Sequence, residues 1–321
     1  MLRPTFRLEV GGRVLTPSAS DDLRRLYVDL SMDFPVNRAE ATLRGSRTAW
    51  GFENDDEMFA ALGYEGELMG VFRGRVGIVE ADVTTVRVVG VGSTWRLVNQ
   101  KVNRLYEKQT AGAIVSDLAA SADVYTAEVQ EGLSFPSYVV DDAKNTYEHI
   151  AELASRCGFH VFCTAEDKLT FKRYDGKEIH VLEFGSDITS IEGRRFGTDY
   201  TSVKILGESP SSTKGSDTWH WITKEAVVGA AGSGKALVMA DPTVKDRDTA
   251  EKVAKARLEA IQRRLWLKVG TVGKPEIRLG EAVELRGMPE PGLNGEYEVR
   301  RVEHTLSKVE GFKTAITCRR A

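Results

Sequence analysis

A glycine-rich run from Gly229 to Ala236 is the first stretch whose residue types and spacing could support chemistry. It matches the phosphate-binding loop of nucleotide-binding proteins up to Lys235. Position 236 is an alanine, where that motif needs a serine or threonine hydroxyl to hold magnesium. Pro242 follows closely, so no long helix begins there to direct its amide dipoles at a phosphate. We therefore predict a small, flexible hairpin loop and no nucleotide site.

A second group with suitable residue types is Cys157, His160 and Cys163, which are spaced by three. Zinc ligands usually come in pairs two or four residues apart, with a second pair elsewhere in the chain. The sequence has no second pair of this kind, and His160 and Cys163 should lie on opposite faces of one strand. We predict two buried cysteines, a partly exposed histidine and no metal site.

Acidic residues are abundant, and two carboxylates in a cleft could hydrolyse a glycosidic bond. The candidates are Asp55, Asp56, Glu57, Asp141 and Asp142. Adjacent carboxylates on a loop are more typical of a solvated surface or of the entry to a helix. Ser233 lacks the Gly-x-Ser-x-Gly spacing of a nucleophile elbow. The sequence thus predicts no catalytic residue, no cofactor site and no enzyme.

Composition narrows the class of protein. The 321 residues carry a net charge of −3, without the basic excess of a dedicated duplex-binding domain. The cluster Gln262-Arg263-Arg264 lies at the end of a predicted helix, where positive charge complements the helix dipole. Three cysteines are too few for a disulfide framework, which indicates a reducing cytoplasm. We expect no signal peptide and no membrane span.

The first third of the chain has the two-residue period of half-buried strands. Residues 24–34 alternate between apolar and polar side chains, and a return strand completes a long hairpin over Leu23–Arg44. The apolar set is Leu26, Val28, Leu30, Met32 and Phe34. A second strand block runs from Glu67 to Gly92, in which Gly74 and Gly77 predict bends or bulges. We assign residues 1–105 to a first tube-like antiparallel β-barrel.

The middle of the chain has helical spacing. A short helix is predicted over Thr110–Ser121. A second begins at Asn145, which can cap it together with Glu148, and it ends at Gly158. Two strands around a turn follow. Residues 106–176 are therefore predicted to form a small α/β insert.

Strand periodicity resumes at Ile188, and a helix of roughly 18 residues is predicted near 248–266. The β region at 177–321 resembles the one at 1–105 in its order of elements. Each opens with a long hairpin, over Leu23–Arg44 and over Asp187–Glu208, and each ends with a strand pair that starts at a glycine, Gly74 or Gly295. We read this as a repeat, with residues 177–321 as the second barrel.

The predicted fold class is therefore mainly β with an α+β insert: two tandem tube-like antiparallel β-barrel domains separated by a small α/β domain. A chain with two similar barrels can supply two of the six positions around a ring. Three such chains then give a pseudo-sixfold ring with closed cyclic symmetry. Edge strands would pair between neighbours, which hides edges that otherwise aggregate.

Two stretches resemble a known family. The first is a strand, helix and hairpin block in the middle of the chain, and the second is the closing pattern of a Leu-Gly strand, a small loop, Gly-x-Tyr-x-Val and a histidine. The first stretch comprises the segments Ser137–Asp142, Asn145–Ala154, Cys157–Phe159 and Leu169–Phe171, and the second comprises Ile277–Gly287, Leu293–Val299 and Val302–His304. They are similar to the phage late control protein D family of tail baseplate hub proteins.

The resemblance implies a homotrimer that joins a hexameric tail tube protein to a trimeric central spike protein. Other baseplate proteins are implied partners, with the tape measure protein as a further candidate, and DNA passes the channel without specific binding. It implies a virion protein of the tail baseplate, assembled in the cytoplasm of the host bacterium. The chain ends soon after His304, so we expect a spike on a separate polypeptide.

Two other functions stay open at this stage: a tail-associated peptidoglycan hydrolase, and a nucleic-acid binder in the tail lumen. Cleavage of peptidoglycan would favour the first. Salt-dependent binding of duplex DNA would favour the second, and the near-neutral charge predicts no such binding.

Overall fold

The computed structural model of the chain describes residues 3–19, 22–45, 51–208 and 227–320. Seven strands make up the first third of the described chain. They are β1 (Pro4–Val10), β2 (Arg13–Leu15), β3 (Leu23–Ser31), β4 (Arg38–Arg44), β5 (Glu57–Tyr64), β6 (Glu67–Ala81) and β7 (Thr85–Val91). The predicted hairpin over Leu23–Arg44 is confirmed, because β3 and β4 pair antiparallel. Phe34 differs from the prediction: it lies beyond the end of β3 and is 56% exposed.

Helices enter in the middle of the chain. The elements are α1 (Trp95–Asn99), β8 (Arg104–Thr110), α2 (Ala111–Ser121), β9 (Thr126–Val129), β10 (Ser134–Val140), α3 (Thr146–Cys157), β11 (His160–Cys163) and β12 (Leu169–Lys172). The capping signal of α3 is confirmed: the Asn145 side chain accepts from the Glu148 N–H, and the Glu148 carboxylate accepts from the Asn145 N–H. Gly158 ends the helix in the left-handed conformation, with φ 66°.

The last third of the chain returns to strands. Its elements are β13 (Ile179–Glu183), β14 (Ile188–Arg195), β15 (Ser202–Leu206), β16 (Val228–Gly232), β17 (Ala236–Ala240), α4 (Arg247–Gln262), β18 (Leu265–Val272), β19 (Ala282–Arg286), β20 (Gly295–Ser307) and β21 (Gly311–Arg320). The predicted long helix is present as α4, but Leu265 already belongs to β18. Residues 209–226 of the predicted second barrel lie outside the described residues.

Thirteen strands from both ends of the chain form one continuous sheet, and its strand order repeats. The first half runs β3-β4-β7-β6-β5-β1, with β2 beyond β1. The second half runs β14-β18-β21-β20-β19-β13. Strand for strand, each half has the same order of pairing. One difference is that β1 pairs antiparallel with β5, whereas β13 pairs parallel with β19.

The repeat extends to register and to backbone detail. Val76 exchanges two hydrogen bonds with the turn before β5, and Val299 exchanges two with the turn before β19. One residue in each turn has positive φ: Asp55 at 71° and Gly280 at 79°. A β-bulge follows each valine, since the pairing register shifts between Val76 and Ile78 and between Val299 and Arg301. The predicted bulge at Gly77 is thereby confirmed.

The matching residues can be followed across four strands in each half. In the first half, the residues paired across neighbouring strands are Val76, Gly90, Ala39 and Val28. In the second half, they are Val299, Cys318, Leu267 and Gly193. Position Val28 in β3 therefore corresponds to Gly193 in β14.

The predicted hairpin over Asp187–Glu208 is wrong. β14 pairs with β18, whereas β15 lies in a separate three-stranded sheet between β16 and β17. That small sheet packs against α4 around a core of its own, which includes Val203, Ile205 and Leu258. In the sequence, this unit is inserted between β14 and β18. The partner strand of β14 therefore begins some 70 residues after β14 ends.

Three hydrophobic clusters account for most of the buried apolar side chains. The largest combines residues of both sheet halves, from Phe6 to Cys318; the second fills the α/β insert, and the third lies under α4. The mainly β fold class is confirmed. Closure of each half into a barrel, and domain limits at 105 and 176, stay predictions. None of the described helices is long and apolar enough to cross a membrane.

Candidate assembly interface

The candidate zinc residues do not form one site. Cys157 Sγ accepts a hydrogen bond from the Leu133 N–H at 3.4 Å, and Cys163 Sγ lies 3.6 Å from an Asp167 oxygen. Burial raises the pKa of Cys157 to about 11 and that of Cys163 well above its ordinary value. Both therefore stay neutral thiols, which are poor metal ligands. The described residues contain no group of three side chains that could hold a metal ion, and the predicted burial of both cysteines is confirmed.

His160, which is partly exposed as predicted, belongs instead to a charge cluster that joins the insert to the main sheet. We call this set the Glu298 cluster: His160, Glu298, Arg300 and Arg319. The Glu298 side chain is fully buried, with its oxygens 2.7 Å from His160 Nε2 and 3.0 Å from Arg319 Nη2. Arg300 donates to His160 Nδ1 at 3.0 Å, so the ring proton is on Nε2, facing Glu298.

Electrostatics hold this cluster in one ionisation state. Burial alone would raise the pKa of Glu298, but the hydrogen bond from His160 and the charges of Arg300 and Arg319 outweigh it and lower the pKa to about 2. Burial lowers the pKa of His160, against the opposing effect of Glu298. At neutral pH the cluster thus contains an ionised carboxylate, a neutral imidazole and two guanidinium groups. The arrangement locks elements together and offers no free proton acceptor.

A second charge cluster lies where the two halves of the sheet meet. β20 pairs antiparallel with β3 over seven residues, from Arg301 opposite Ser31 to Ser307 opposite Arg25. We call this pairing the internal junction. Arg301 donates two hydrogen bonds to Asp29, at 2.7 and 2.8 Å, and the Asp29 side chain is only 9% exposed. Such bidentate geometry is the strongest form of ion pair.

Glu303 completes the internal junction beside Asp29. It accepts a hydrogen bond from Tyr27 Oη at 2.7 Å and lies 2.9 Å from Lys268 Nζ. Burial raises the pKa of Glu303, but Lys268 and Tyr27 reverse this effect and leave the pKa lowered. Burial, with the hydrogen bond to Glu303, raises the pKa of Tyr27 to about 12. Two carboxylates on facing strands are therefore tolerated because Arg301 and Lys268 supply positive charge and Tyr27 donates a hydrogen bond.

The glycine-rich run forms a loop between strands that do not pair with each other. β16 and β17 lie on opposite sides of β15, and the loop from Gly232 to Lys235 crosses the end of β15. The predicted hairpin is wrong for this reason. Lys235 Nζ lies 3.3 Å from an Asp199 carboxylate oxygen, and the chain continues into a strand. The loop thus has no helix N-terminus to receive a phosphate.

The acidic candidates have local structural roles. An Asp56 carboxylate oxygen accepts from the Glu53 N–H at 2.9 Å, and Asp55 lies 3.3 Å from Arg75. Asp141 accepts from the Ala143 N–H in an exposed turn. These three contacts of Asp55, Asp56 and Asp141 pair no carboxylate with another. Arg263, from the basic cluster at the end of α4, lies 3.5 Å from Glu298.

Sequence reasoning missed the internal junction. Alternation placed Tyr27 and Asp29 on the polar face of β3, and they do lie on that face. They are nevertheless largely covered, because β20 brings Arg301 and Glu303 against them from 272 and 276 residues away. Asp29 fits the alternation of its strand, and no local pattern connects it with Arg301 and Glu303.

No protein-family model and no curated protein matches this chain. Solved structures do share its fold. The 43 kDa tail protein of prophage MuSo2 from Shewanella oneidensis superposes with a TM-score of 0.72 at 14% identity, over 98% of each chain. A tail protein from Neisseria meningitidis MC58 gives a TM-score of 0.75 at 12% identity, over 99% of this chain and 96% of that one.

A third structure connects the fold to secretion machinery as well as to phage. The E. coli c3393 protein superposes with a TM-score of 0.64 at 10% identity, over 97% of this chain and 76% of that one. It is described as a component of the type VI secretion system with structural similarity to the T4 bacteriophage tail proteins gp27 and gp5. Across nearly its whole length, this chain therefore has the fold of phage tail proteins.

Proposed function

We propose that this chain is a structural hub protein of the baseplate of a phage tail or a phage-like contractile injection system. In this role three copies form a pseudo-sixfold ring. One face of the ring binds the hexameric tail tube, the other binds a trimeric spike protein, and DNA passes through the channel without specific binding. The hub is part of the virion and assembles in the cytoplasm of the host bacterium.

The observation that carries this proposal is the repeated strand order within one continuous sheet. Each chain presents two units with the same pairing order and the same register, joined side by side through β3 and β20. Three chains then present six similar units, so a threefold object can bind a sixfold one through equivalent contacts. The fold shared with phage tail proteins supports the same role.

A non-catalytic role fits the candidate residues of the described chain. The carboxylates cap turns or neutralise cations, the cysteines are buried thiols, and the glycine-rich loop leads into a strand. The strongest electrostatic features are the Glu298 cluster and the internal junction, and both fix elements relative to one another. This is the chemistry expected of a rigid connector.

Native mass spectrometry and negative-stain imaging of the full chain test the proposal. The expected species is a trimer of about 106 kDa, three times the 35.4 kDa chain, seen as a ring with a central hole. A chain that stays monomeric at micromolar concentration, even with tube and spike proteins added, would contradict it. So would clearing of peptidoglycan that is abolished by one carboxylate substitution, which would favour a hydrolase instead.

A further inference from the structure

Several strands of the main sheet have an edge without a strand partner among the described residues, and two of these edges correspond through the repeat to the edges that meet at the internal junction. One is the outer edge of β14 from Ser190 to Arg195, beyond the bridge between Ile188 and Phe184; the other edge of β14 pairs with β18. The other is the end of β6, from Ile78 to Ala81: β7 covers one side, while the pairing with β5 stops at Arg75. Unpaired strand edges are templates for pairing with another chain, and natural proteins seldom leave them open without a purpose.

The internal junction shows what such edges do when they meet. It joins the end of β20 to the outer edge of β3, and these are the counterparts of β6 and β14 in the repeat. Because Gly77 and Arg300 occupy equivalent bulges, Ile78 corresponds to Arg301 and Glu80 to Glu303. Because Gly193 corresponds to Val28, Arg194 corresponds to Asp29 and residue 196 to Ser31.

Transferring the register of the internal junction to the open edges gives a definite set of neighbours. Arg301 lies opposite Ser31, so Ile78 would lie opposite Phe196. Glu303 lies opposite Asp29, so Glu80 would lie opposite Arg194. This register follows from backbone pairings within the chain alone and does not depend on the four side chains.

Those four side chains prove complementary. Ile78 and Phe196 are large apolar residues left 47% and 56% exposed, and the register places them face to face. A β-branched residue opposite an aromatic one is a favourable cross-strand pair. The next pair on the same face is Glu80 opposite Arg194, which have opposite charges. Two independent kinds of complementarity coincide in a single register.

We propose that β6 of one copy pairs antiparallel with β14 of a second copy, with Ile78 opposite Phe196 and Glu80 opposite Arg194. This inference rests on the proposed ring and names its subunit interface. Six strands separate β14 from β6 within one sheet, so the partner edge comes from another copy. Because the two edges differ, the contact is heterologous, and repetition around a closed rotation generates a ring.

Disulfide cross-linking tests the register directly. The Phe196 N–H donates to the Arg264 carbonyl oxygen towards β18, so on the open edge this position forms a non-hydrogen-bonded pair. Cα atoms in such pairs lie about 4.5 Å apart, within the range for a disulfide. The variant Ile78→Cys with Phe196→Cys should form covalent dimers and trimers under mild oxidation. The three native cysteines are buried and do not compete.

A matched control again introduces two cysteines, but at positions that the proposed register does not bring together. Ile78→Cys with Glu192→Cys uses the same face of β14, but about 13 Å along the strand. It should give no covalent trimer. Equal cross-linking of both pairs, or a disulfide found only within monomers, would overturn the proposed pairing.

Charge reversal provides a second, reversible test. Glu80→Arg should weaken trimer formation in native mass spectra, and adding Arg194→Glu should restore it. Because Glu80 also binds Arg87 at 2.7 Å, thermal unfolding of each variant shows whether the fold is intact. A trimeric ring that neither cross-links nor responds to charge reversal overturns the strand pairing and leaves the hub role standing. A chain that is monomeric by every measurement overturns both.

Discussion

Replacing the buried carboxylate of Glu298 should destabilise the protein at neutral pH and much less in acid. Glu298→Gln keeps the size of the side chain but leaves Arg319 without the carboxylate it binds and Arg300 with Asp33 as its carboxylate partner. The pKa of Glu298 is lowered from an ordinary value of 4.5 to about 2. That difference corresponds to about 3 kcal/mol of stability at pH 7. It agrees with the cost of breaking a buried ion pair by removing one partner.

The sign of the pH dependence follows from the lowered pKa. The stabilisation is fully present above pH 4.5, where the unfolded carboxyl is also ionised, and is lost as the pH falls towards 2. At pH 3 about 1 kcal/mol should remain. Urea unfolding followed by circular dichroism at pH 7 and pH 3 measures both values. Wild type and variant are compared at the same protein concentration, because the proposed subunit association would also stabilise the folded chain.

A neighbouring residue provides the control. Glu296→Gln makes the same substitution two positions earlier on β20, at an exposed side chain. Its effect should stay within about 0.5 kcal/mol at either pH. A loss for Glu298→Gln that is the same at pH 7 and pH 3 would refute the electrostatic reasoning. So would a loss below 1 kcal/mol at pH 7.

Three further outcomes are expected. The free energy of unfolding should fall by about 3 kcal/mol for Asp29→Ala and by about 3 kcal/mol for Arg301→Ala. In a double-mutant cycle measured by urea unfolding, the double variant should lose less stability than the sum of the two single losses, since the two side chains share one bidentate ion pair. Asn145→Ala should lower the free energy of unfolding by about 1 kcal/mol, because the cap of α3 is lost. Asn145→Asp should retain most of that capping stability in the same assay. Gly229→Ala should lower the melting temperature, because its new Cβ would lie 2.2 Å from the backbone of α4. Gly197→Ala is the control and should leave the melting temperature unchanged, because open space surrounds that position.

Local structure could be predicted from the sequence because its causes lie within a few residues. The capping box at Asn145, the left-handed stop at Gly158 and the bulge at Gly77 each depend on one or two side chains and the adjacent backbone. The hairpin of β3 and β4 needs only alternation and a turn. These features were predicted correctly, and they position the insert and the first half of the sheet.

The remaining features depend on distant partners. β15 follows β14 in the sequence, but β14 pairs with β18 because a whole unit is inserted between them. The glycine-rich loop was predicted as a hairpin, although its flanking strands are separated by β15. Alternation assigns Asp29 to the polar face of β3 correctly and cannot indicate that β20 covers that face. Pairing at such separations is decided by tertiary packing, which local periodicity does not encode.

The internal junction and the proposed junction between copies should differ in strength, and this difference would determine how the proposed ring assembles. The internal junction pairs seven residues, carries a bidentate ion pair that is largely buried, and joins strands of the same chain. The proposed junction between copies pairs four residues and places Glu80 and Arg194 at an open surface. Salt screens exposed pairs far more than buried ones. We therefore expect raised ionic strength to separate the copies while β3 and β20 stay paired. The folded chain with its two joined halves would then be the stable unit, and for that reason the proposed ring would consist of three chains and not six independent ones.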